Sequence, residues 1–341
     1  MFGRTIIGGL LAALCGAAQV TAQASQPPIV VAAIPAQLPA AGGQPANPWQ
    51  CVDLWTDPGR PHVGETIDAC REAMRRKFHN GFAATTFVNF GVFEIAQRKF
   101  AAALQDLSEA VALDRKNMEA LVNRAVAYDG LEDPASAKAD RESVTRLHPH
   151  DAEDFLSLGT AEDHLGHPQA ALAAYTMAIG KSARIRSTAF NAICERGRVY
   201  LELGQFDLAV ADFTKATQMA PGAGQPLNDR CWARAAVGRE LDLALADCNA
   251  ALNIASQHGV EAPNWLESRG FVYLRQGRYD EAIRDFDAAL ARPRKQPAAV
   301  YLRGLARIRK GESAAGRADI AAAQAMYPEI AAFFTRAGVN P

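Results

Sequence analysis

The most regular charged feature of the sequence is a set of arginines, each followed by an aspartate 16 or 17 residues later. The five pairs are Arg124 with Asp140, Arg196 with Asp212, Arg230 with Asp247, Arg269 with Asp285, and Arg303 with Asp319. A row of guanidinium groups could bind acidic ligands, whereas an arginine that faces its own aspartate forms a bidentate ion pair. At one intervening register position Leu158 and Ala174 replace both members together, although Phe90 opposite Asp106 departs from this rule. The joint replacement favours structural ion pairs over a ligand-binding stripe.

Two histidines form the grouping that most resembles a metal site. His164 and His167 stand three residues apart beside Glu162 and Asp163, and such a set can in principle collect a metal ion. A solvated helix end explains them more simply, so we predict no metal site. The sequence has no GxSxG, P-loop or HExxH motif, and no GxGxxG motif after a strand. We therefore expect a non-enzymatic protein with no catalytic residues and no cofactor.

An internal repeat of small, aromatic and proline residues places these charged pairs. The pattern of Gly197, Tyr200, Gly204, Phe206, Ala209, Phe213, Ala216 and Pro221 recurs as Gly270, Tyr273, Gly277, Tyr279, Ala282, Phe286 and Ala289. This pattern closely resembles the signature of about 34 residues that defines the tetratricopeptide repeat family. Small residues let two antiparallel helices approach each other, a glycine ends the first helix, and a proline stops the second.

The resemblance implies an all-α fold, an α-solenoid superhelix of antiparallel helical hairpins with about seven repeats. The repeats start near residues 84, 118, 152, 190, 224, 263 and 297 and together cover 84–328, with insertions at 184–189 and 256–262. We expect residues 48–83 to form an N-terminal cap and residues 329–341 a short capping helix and tail. In that helix Ile330, Phe333 and Phe334 would cover the exposed face of the last hairpin, as terminal repeats require.

The cysteines predict two disulfides when they are placed in this repeat. Cys231 takes the position of the small residue in the fifth repeat, and Cys248 takes the position of the aromatic anchor. These positions face each other across a hairpin, so we predict a Cys231–Cys248 bridge. A Cys51–Cys70 bridge would staple the N-terminal cap. Cys194 lies outside both bridges, and no CxxC motif supports a redox role for it.

The first 22 residues have the pattern of a signal peptide. Arg4 precedes an apolar stretch over 5–18, and small residues allow cleavage near Ala22 or Ala24. The stretch is shorter than the roughly 20 residues that a membrane-spanning helix needs. Residues 23–47 form a linker rich in proline and alanine. We expect an exported protein, located in the periplasm of a Gram-negative bacterium, where disulfides can form.

In the tetratricopeptide family, side chains of the first helices line the concave groove, and the resemblance carries these positions onto eight residues. They are Asn191, Arg198, Asn228, Trp232, Asn264, Glu267, Phe271 and Tyr301. Trp232, Phe271 and Tyr301 would form an aromatic track beside asparagines that bond a peptide backbone. Packing between repeats is the alternative interpretation, most clearly for Phe271. Arg198 is the one cation among the eight, so a clamp for acidic C-termini is not supported.

These features predict a module that binds a protein or a peptide. A net charge of −1 argues against a nucleic-acid partner. The leading hypothesis is an exported adaptor or assembly factor that holds its partner in the concave groove. The alternative is a structural scaffold of a cell-envelope complex that binds through repeat edges and the N-terminal arm. An enzyme that uses the segment between Cys51 and Cys70 is the least favoured hypothesis.

Overall fold

The computed structural model describes residues 81–182, 186–291 and 296–340, with side chains from Ala83 onward. The predicted signal peptide, the linker, most of the N-terminal cap and the Cys51–Cys70 bridge lie outside these residues. The described residues contain fifteen α-helices and no strand. They divide into two compact units, 81–165 and 166–340, called here the N-terminal and the C-terminal unit. The predicted all-α fold of helical hairpins is confirmed.

The N-terminal unit consists of five helices. They are α1 (Gly81–Ala96), α2 (Phe100–Leu113), α3 (Met118–Gly130), α4 (Pro134–Thr145) and α5 (Ala152–His164). The first pair packs around Phe87, Phe90 and Leu107, all of which are fully buried. A Cβ at Gly91 would come within 2.4 Å of the Leu107 side chain, so only glycine permits this approach of α1 to α2. The small residue predicted at this position therefore sets the spacing of the hairpin.

Side-chain caps define where three of these helices begin. The side chain of Asn117 accepts a hydrogen bond from the Ala120 amide at 2.8 Å before α3. Asp133 accepts from the Ser136 amide at 3.1 Å before α4, and Asp151 accepts from the Asp154 amide at 2.9 Å before α5. Each cap satisfies one of the amides that a helix leaves unpaired in its first turn, which fixes the helix start.

The C-terminal unit consists of ten helices. They are α6 (Pro168–Lys181), α7 (Arg186–Glu202), α8 (Phe206–Met219), α9 (Gly224–Val237), α10 (Leu241–Gln257), α11 (Pro263–Arg275), α12 (Tyr279–Leu290), α13 (Pro297–Lys310), α14 (Ser313–Met326) and α15 (Ile330–Arg336). The hairpins α7–α8, α9–α10, α11–α12 and α13–α14 correspond to the predicted fourth to seventh repeats. The insertions extend the helices, because α7 already begins at Arg186 and α10 continues to Gln257.

The four hairpins of the C-terminal unit bring their two helices together through three different kinds of contact. A Cβ at Gly197 would lie 2.8 Å from the Phe213 ring, and a Cβ at Gly270 would lie 2.8 Å from Phe286, so a glycine faces an aromatic ring in two hairpins. In α9–α10 a disulfide between Cys231 and Cys248 replaces that contact. In α13–α14 a Cβ at Gly304 would lie 2.8 Å from the carbonyl oxygen of Gly316, so the two backbones themselves touch. The two helices of each hairpin therefore remain in close contact, although the residues that make the contact differ.

No helix in the described part of the chain combines the length and the apolar character that crossing a bilayer requires.

Candidate binding groove

The first helices of successive repeats in the C-terminal unit pack side by side, since α9 contacts α7 and α11, and α11 also contacts α13. All eight predicted groove residues lie on these four helices. Asn191 and Asn264 are partly exposed, whereas Arg198, Asn228, Trp232, Glu267, Phe271 and Tyr301 are buried. The exposed fraction is 8% for Trp232 and 0% for both Phe271 and Tyr301. The aromatic side chains predicted to face a ligand are therefore already covered.

The cover is the C-terminal helix of the same chain. Phe333 lies 5.7 Å from Trp232, measured between ring centroids, and Trp232 lies 5.6 Å from Phe271. Phe334 packs edge-on against Phe271 at 5.9 Å and stacks on Tyr301 at 5.3 Å with an interplanar angle of 7°. The predicted aromatic track exists, but two phenylalanines of α15 complete it and fill it.

The path of the chain end corrects the expectation that α15 covers only the last hairpin. Residues 330–340, called here the C-terminal segment, contact two arginines of the repeats, and Arg336 of the segment itself contacts an earlier repeat. Arg275 donates to the Gly338 carbonyl at 3.2 Å, and Arg309 donates to the Asn340 carbonyl at 3.0 Å. Arg336 donates to the carbonyl of Glu202, at the end of α7, at 3.5 Å. The segment thus runs from α13 back to the fourth repeat. Its Phe333 and Phe334 pack on Trp232, Phe271 and Tyr301, called here the aromatic floor.

A row of buried polar groups borders this aromatic floor. The carbonyl oxygen of the Asn228 side chain and the hydroxyl of Tyr301 are buried without a hydrogen-bond partner in the described residues. Glu267 is 8% exposed, and burial raises the pKa of its carboxyl to about 7. Within the same residues no ion pair or hydrogen bond reaches that carboxyl. Unpaired buried polar groups are rare in proteins, so this row, called here the polar row, is the most unusual chemistry of the groove.

Asp229 follows Asn228 in the sequence and, unlike the polar row, has hydrogen-bond partners. Its carboxylate accepts from Gln225 at 2.7 Å and from Asn228 at 3.4 Å. Burial raises the pKa of Asp229 to about 6, against the opposing effects of these bonds and of the Arg198 charge. Arg198 itself forms an ion pair with Glu195, one turn away on α7. The cation predicted to face a ligand is thus engaged inside the protein.

The five predicted arginine–aspartate pairs are all brought together. In each pair the Nε and Nη2 groups of the arginine donate to the two carboxylate oxygens of the aspartate, at 2.6–2.9 Å. This contact with aspartate is the main cause that raises the guanidinium pKa in four of the pairs, those of Arg124, Arg196, Arg269 and Arg303. Arg124, Arg196 and Arg269 also lie over the ring of the tyrosine four residues later, at 5.9 Å.

The third guanidinium nitrogen makes a contact that the sequence reasoning missed. In the C-terminal unit, Nη1 reaches back to the second helix of the preceding repeat. Arg196 donates to Thr176 at 3.1 Å, Arg230 to Thr217 at 2.9 Å, Arg269 to Asn249 at 3.2 Å, and Arg303 to Asp287 at 2.7 Å. Three of the four acceptors directly follow the anchor position of their helix, and that recurrence was the available signal. The arginines therefore tie neighbouring repeats together, which leaves few donors for an acidic ligand.

The disulfide lies next to one of these arginine–aspartate pairs. Cys231 and Cys248 have Cα atoms 5.4 Å apart and follow Arg230 and Asp247 directly in the sequence. Cys194 is a buried thiol on α7, outside that bridge. No set of three or more histidine, cysteine, aspartate or glutamate side chains that could hold a metal ion occurs in the described ranges.

Comparison with known proteins agrees with this geometry. Two tetratricopeptide repeat family models match the chain, one over residues 190–222 and one over 269–330. No curated protein matches the sequence.

Solved structures show the same fold at low sequence identity. A chain of the crystal structure of the APC/C hetero-tetramer Cut9–Hcn1 is 17% identical with a TM-score of 0.53, over 74% of this chain and 50% of that one. The present chain thus spans about half the length of that relative. PilW, a widely conserved type IV pilus biogenesis factor, is 17% identical with a TM-score of 0.50, over 63% of this chain and 96% of PilW.

A tetratricopeptide repeat protein from Parabacteroides merdae is 16% identical with a TM-score of 0.50, over 75% of this chain and 98% of that one. At these identities the likeness concerns the fold alone. The repeat signature, the family models and the hairpins agree that the chain contains tetratricopeptide repeats, matched by family models over residues 190–222 and 269–330.

Proposed function

We propose that this chain is an exported, non-enzymatic adaptor or assembly factor that holds a segment of a partner protein on the groove of α9, α11 and α13. The observation that carries the proposal is the seat of α15, because the groove buries a short helix through two aromatic side chains. A surface that holds one amphipathic helix in this way has the shape and the apolar floor to hold another. Tetratricopeptide folds serve as protein–protein interaction modules, which agrees with this use.

Export is part of the proposal and rests on the signal pattern before Ala22 or Ala24. A reporter enzyme that is active only outside the cytoplasm, fused after residue 47, tests it. The fusion is expected to be active, and a fusion with Arg4 changed to glutamate and the apolar stretch interrupted by lysines is expected to be inactive. Export would be contradicted if both fusions were inactive.

A scaffold that binds through repeat edges is the second candidate, and one observation favours it. Leu208 on α8 and Leu243 on α10 occupy equivalent positions of their repeats and are 49% and 51% exposed. Large apolar side chains that recur at the same exposed position can form a continuous contact strip. The edge and the groove make different predictions about where a partner touches the chain.

Site-specific photo-crosslinking in the native cell separates the two candidates. A photoreactive residue is placed at Asn191 or Asn264, which are partly exposed on groove helices, and at Leu208 or Leu243 as matched edge positions. The groove proposal expects one protein to be captured at the first two positions, and a peptide from its crosslinked region to bind the purified chain. Capture at the edge positions alone would support the scaffold and overturn groove binding. Capture at none of the four positions would also overturn groove binding.

A further inference from the structure

We propose that the C-terminal segment occupies in cis the site of a partner helix, and that the partner displaces it by presenting an aromatic pair together with a hydrogen-bond donor for the polar row. This inference rests on the proposed function and deepens it by stating what the groove selects. Three observations carry it: the apolar fit of the segment, the kind of hydrogen bonds that hold its end, and the polar groups that it leaves unpaired.

The apolar fit shows which side chains the groove recognises. Phe333 and Phe334 are adjacent, yet each meets a different part of the floor, with Trp232 under the first and both Phe271 and Tyr301 under the second. Their own rings are 5.2 Å apart in an edge-to-face arrangement. Ile330 and Val339, 2% and 0% exposed, bury the two ends of the segment. An adjacent aromatic pair between two aliphatic residues is thus the pattern that fills the groove.

The hydrogen bonds that hold the end of the segment do not depend on its sequence. Arg275 and Arg309 both donate to main-chain carbonyls, those of Gly338 and Asn340. Gly338 and Asn340 follow the end of α15, and any chain that continues past a helix at this place offers main-chain carbonyls, because every residue has one. The arginines would therefore accept a partner helix as readily as α15.

The segment leaves the polar row without partners. The Asn228 carbonyl oxygen and the Tyr301 hydroxyl are buried and unbonded within the described residues, and the Glu267 carboxyl is 8% exposed. Phe334 stacks on the ring of Tyr301, at one end of the row, and an apolar side chain offers no hydrogen-bond donor there. A partner with a lysine, arginine or amide donor at this point would satisfy them and so gain over the cis occupant.

The cis helix is also short enough to be released. It spans seven residues, and a helix of that length is not stable by itself in water. Its hold depends on the groove and on the covalent connection, which acts as an effective concentration of roughly millimolar. A competitor without better contacts therefore fails, whereas one that pairs the polar row succeeds.

The test uses a labelled synthetic peptide with the sequence of residues 327–341 and the full-length chain, followed by fluorescence anisotropy. In the wild-type chain the cis segment outcompetes the peptide, so weak binding is expected. In the full-length Phe333→Ser/Phe334→Ser variant, the peptide is expected to bind about tenfold more tightly or better. Thr335→Ser, at an exposed position of the same helix, is the matched control and is expected to behave as wild type. Equal binding to all three chains would overturn the proposal.

A second variant keeps the test decisive if the serine variant loses its fold by circular dichroism. Ile330→Ser weakens the cis segment alone, because the added peptide keeps its buried isoleucine and the groove is unchanged, so it is expected to release the segment in part and strengthen peptide binding several-fold. No gain in this variant, with the helical signal unchanged, would count against displacement.

The donor is tested with two further peptides, in which Ala331 or Ala332 is replaced by lysine. At least one is expected to bind about tenfold more tightly than the parent peptide, and to lose that gain on a chain that also carries Glu267→Gln. No gain for either peptide would reject the donor. Groove crosslinking to a native partner while the C-terminal segment stays seated would reject displacement and leave the proposed function standing.

Discussion

Two regions of the C-terminal unit carry buried or half-buried polar groups: the groove, and the arginine–aspartate pairs of Arg196, Arg230, Arg269 and Arg303, called here the arginine ladder. The polar groups are paired in the ladder and partly unpaired in the groove. In the ladder, the four arginines of this unit use all three guanidinium nitrogens, two on the aspartate of their own repeat and one on the preceding repeat. In the groove, the Asn228 carbonyl and the Tyr301 hydroxyl have no partner within the described residues. Completely paired polar groups stabilise a fold, whereas a buried polar group without a partner costs free energy until a partner satisfies it.

This difference separates two kinds of charged or polar residue that look alike in the sequence. The arginines recur with every repeat from the fourth to the seventh and are engaged, so they are structural. The polar row does not recur as one residue type, since Asn228, Glu267 and Tyr301 occupy one repeat position with three chemistries. The repeat fold therefore does not fix the residue type at this position.

The largest expected effect is that of emptying the groove floor. Phe271 is fully buried and lies between Trp232 and Phe334, so Phe271→Ala leaves a cavity and is expected to cost about 3–5 kcal/mol of unfolding free energy. Urea denaturation followed by circular dichroism measures this loss. Exposed Thr335→Ser serves as the control, with no change expected. A loss below about 1 kcal/mol would mean that the floor is open and the C-terminal segment is not seated.

The polar row is expected to make stability depend on pH. The pKa of Glu267 is about 7 in the folded chain, above its usual 4.5, so the folded state holds a proton that the unfolded state releases. The contribution of this group to stability is therefore greatest below about pH 4.5 and is lost as the pH rises to about 7, by up to ~3 kcal/mol. Asp229, raised to about 6, acts in the same direction at lower pH.

The Glu267→Gln variant isolates the contribution of that carboxyl. Its unfolding free energy, measured at intervals from pH 4.5 to pH 8, is expected to fall less steeply than that of wild type. Parallel curves for the two proteins would show that Glu267 keeps an ordinary pKa and that a partner already compensates its charge.

Removing one arginine of the ladder is expected to lower the unfolding free energy less than Phe271→Ala does. Arg269→Met leaves Asp285 without its guanidinium, and a loss of about 2 kcal/mol is expected because the arginine side chain, 25% exposed, leaves room for water. Adding Asp285→Leu to make the double variant is expected to recover part of the loss. If Arg269→Met melts at the wild-type temperature, the ladder does not stabilise the fold.

The contact between repeats is expected to have the smallest effect. Asn249→Ala removes the acceptor for Nη1 of Arg269 and keeps the bidentate pair, so a loss of about 0.5 kcal/mol is expected at this exposed position. The effect should vanish in the Arg269→Met background, because the two changes remove one interaction. Additive losses would show that Asn249 acts through another contact.

The sequence predicted the hairpins, the arginine–aspartate partners and the Cys231–Cys248 approach, because each depends on contacts within one repeat at a fixed spacing. It did not predict the seat of α15. That seat joins Phe333 to Trp232 across two intervening repeats, and no period relates a chain end to the groove. The polar row was found only in part. Asn228, Glu267 and Tyr301 were placed on the groove helices, but their burial was not predicted.

Hydrogen exchange of the full-length wild-type chain, read by mass spectrometry with and without a saturating groove-binding peptide, tests the occupied groove most directly. Amides 331–337 are expected to be protected in the free chain and to lose their protection when the peptide binds, while α13 and α14 stay protected. Free exchange at 331–337 before the peptide is added, or unchanged protection at saturation, would contradict it.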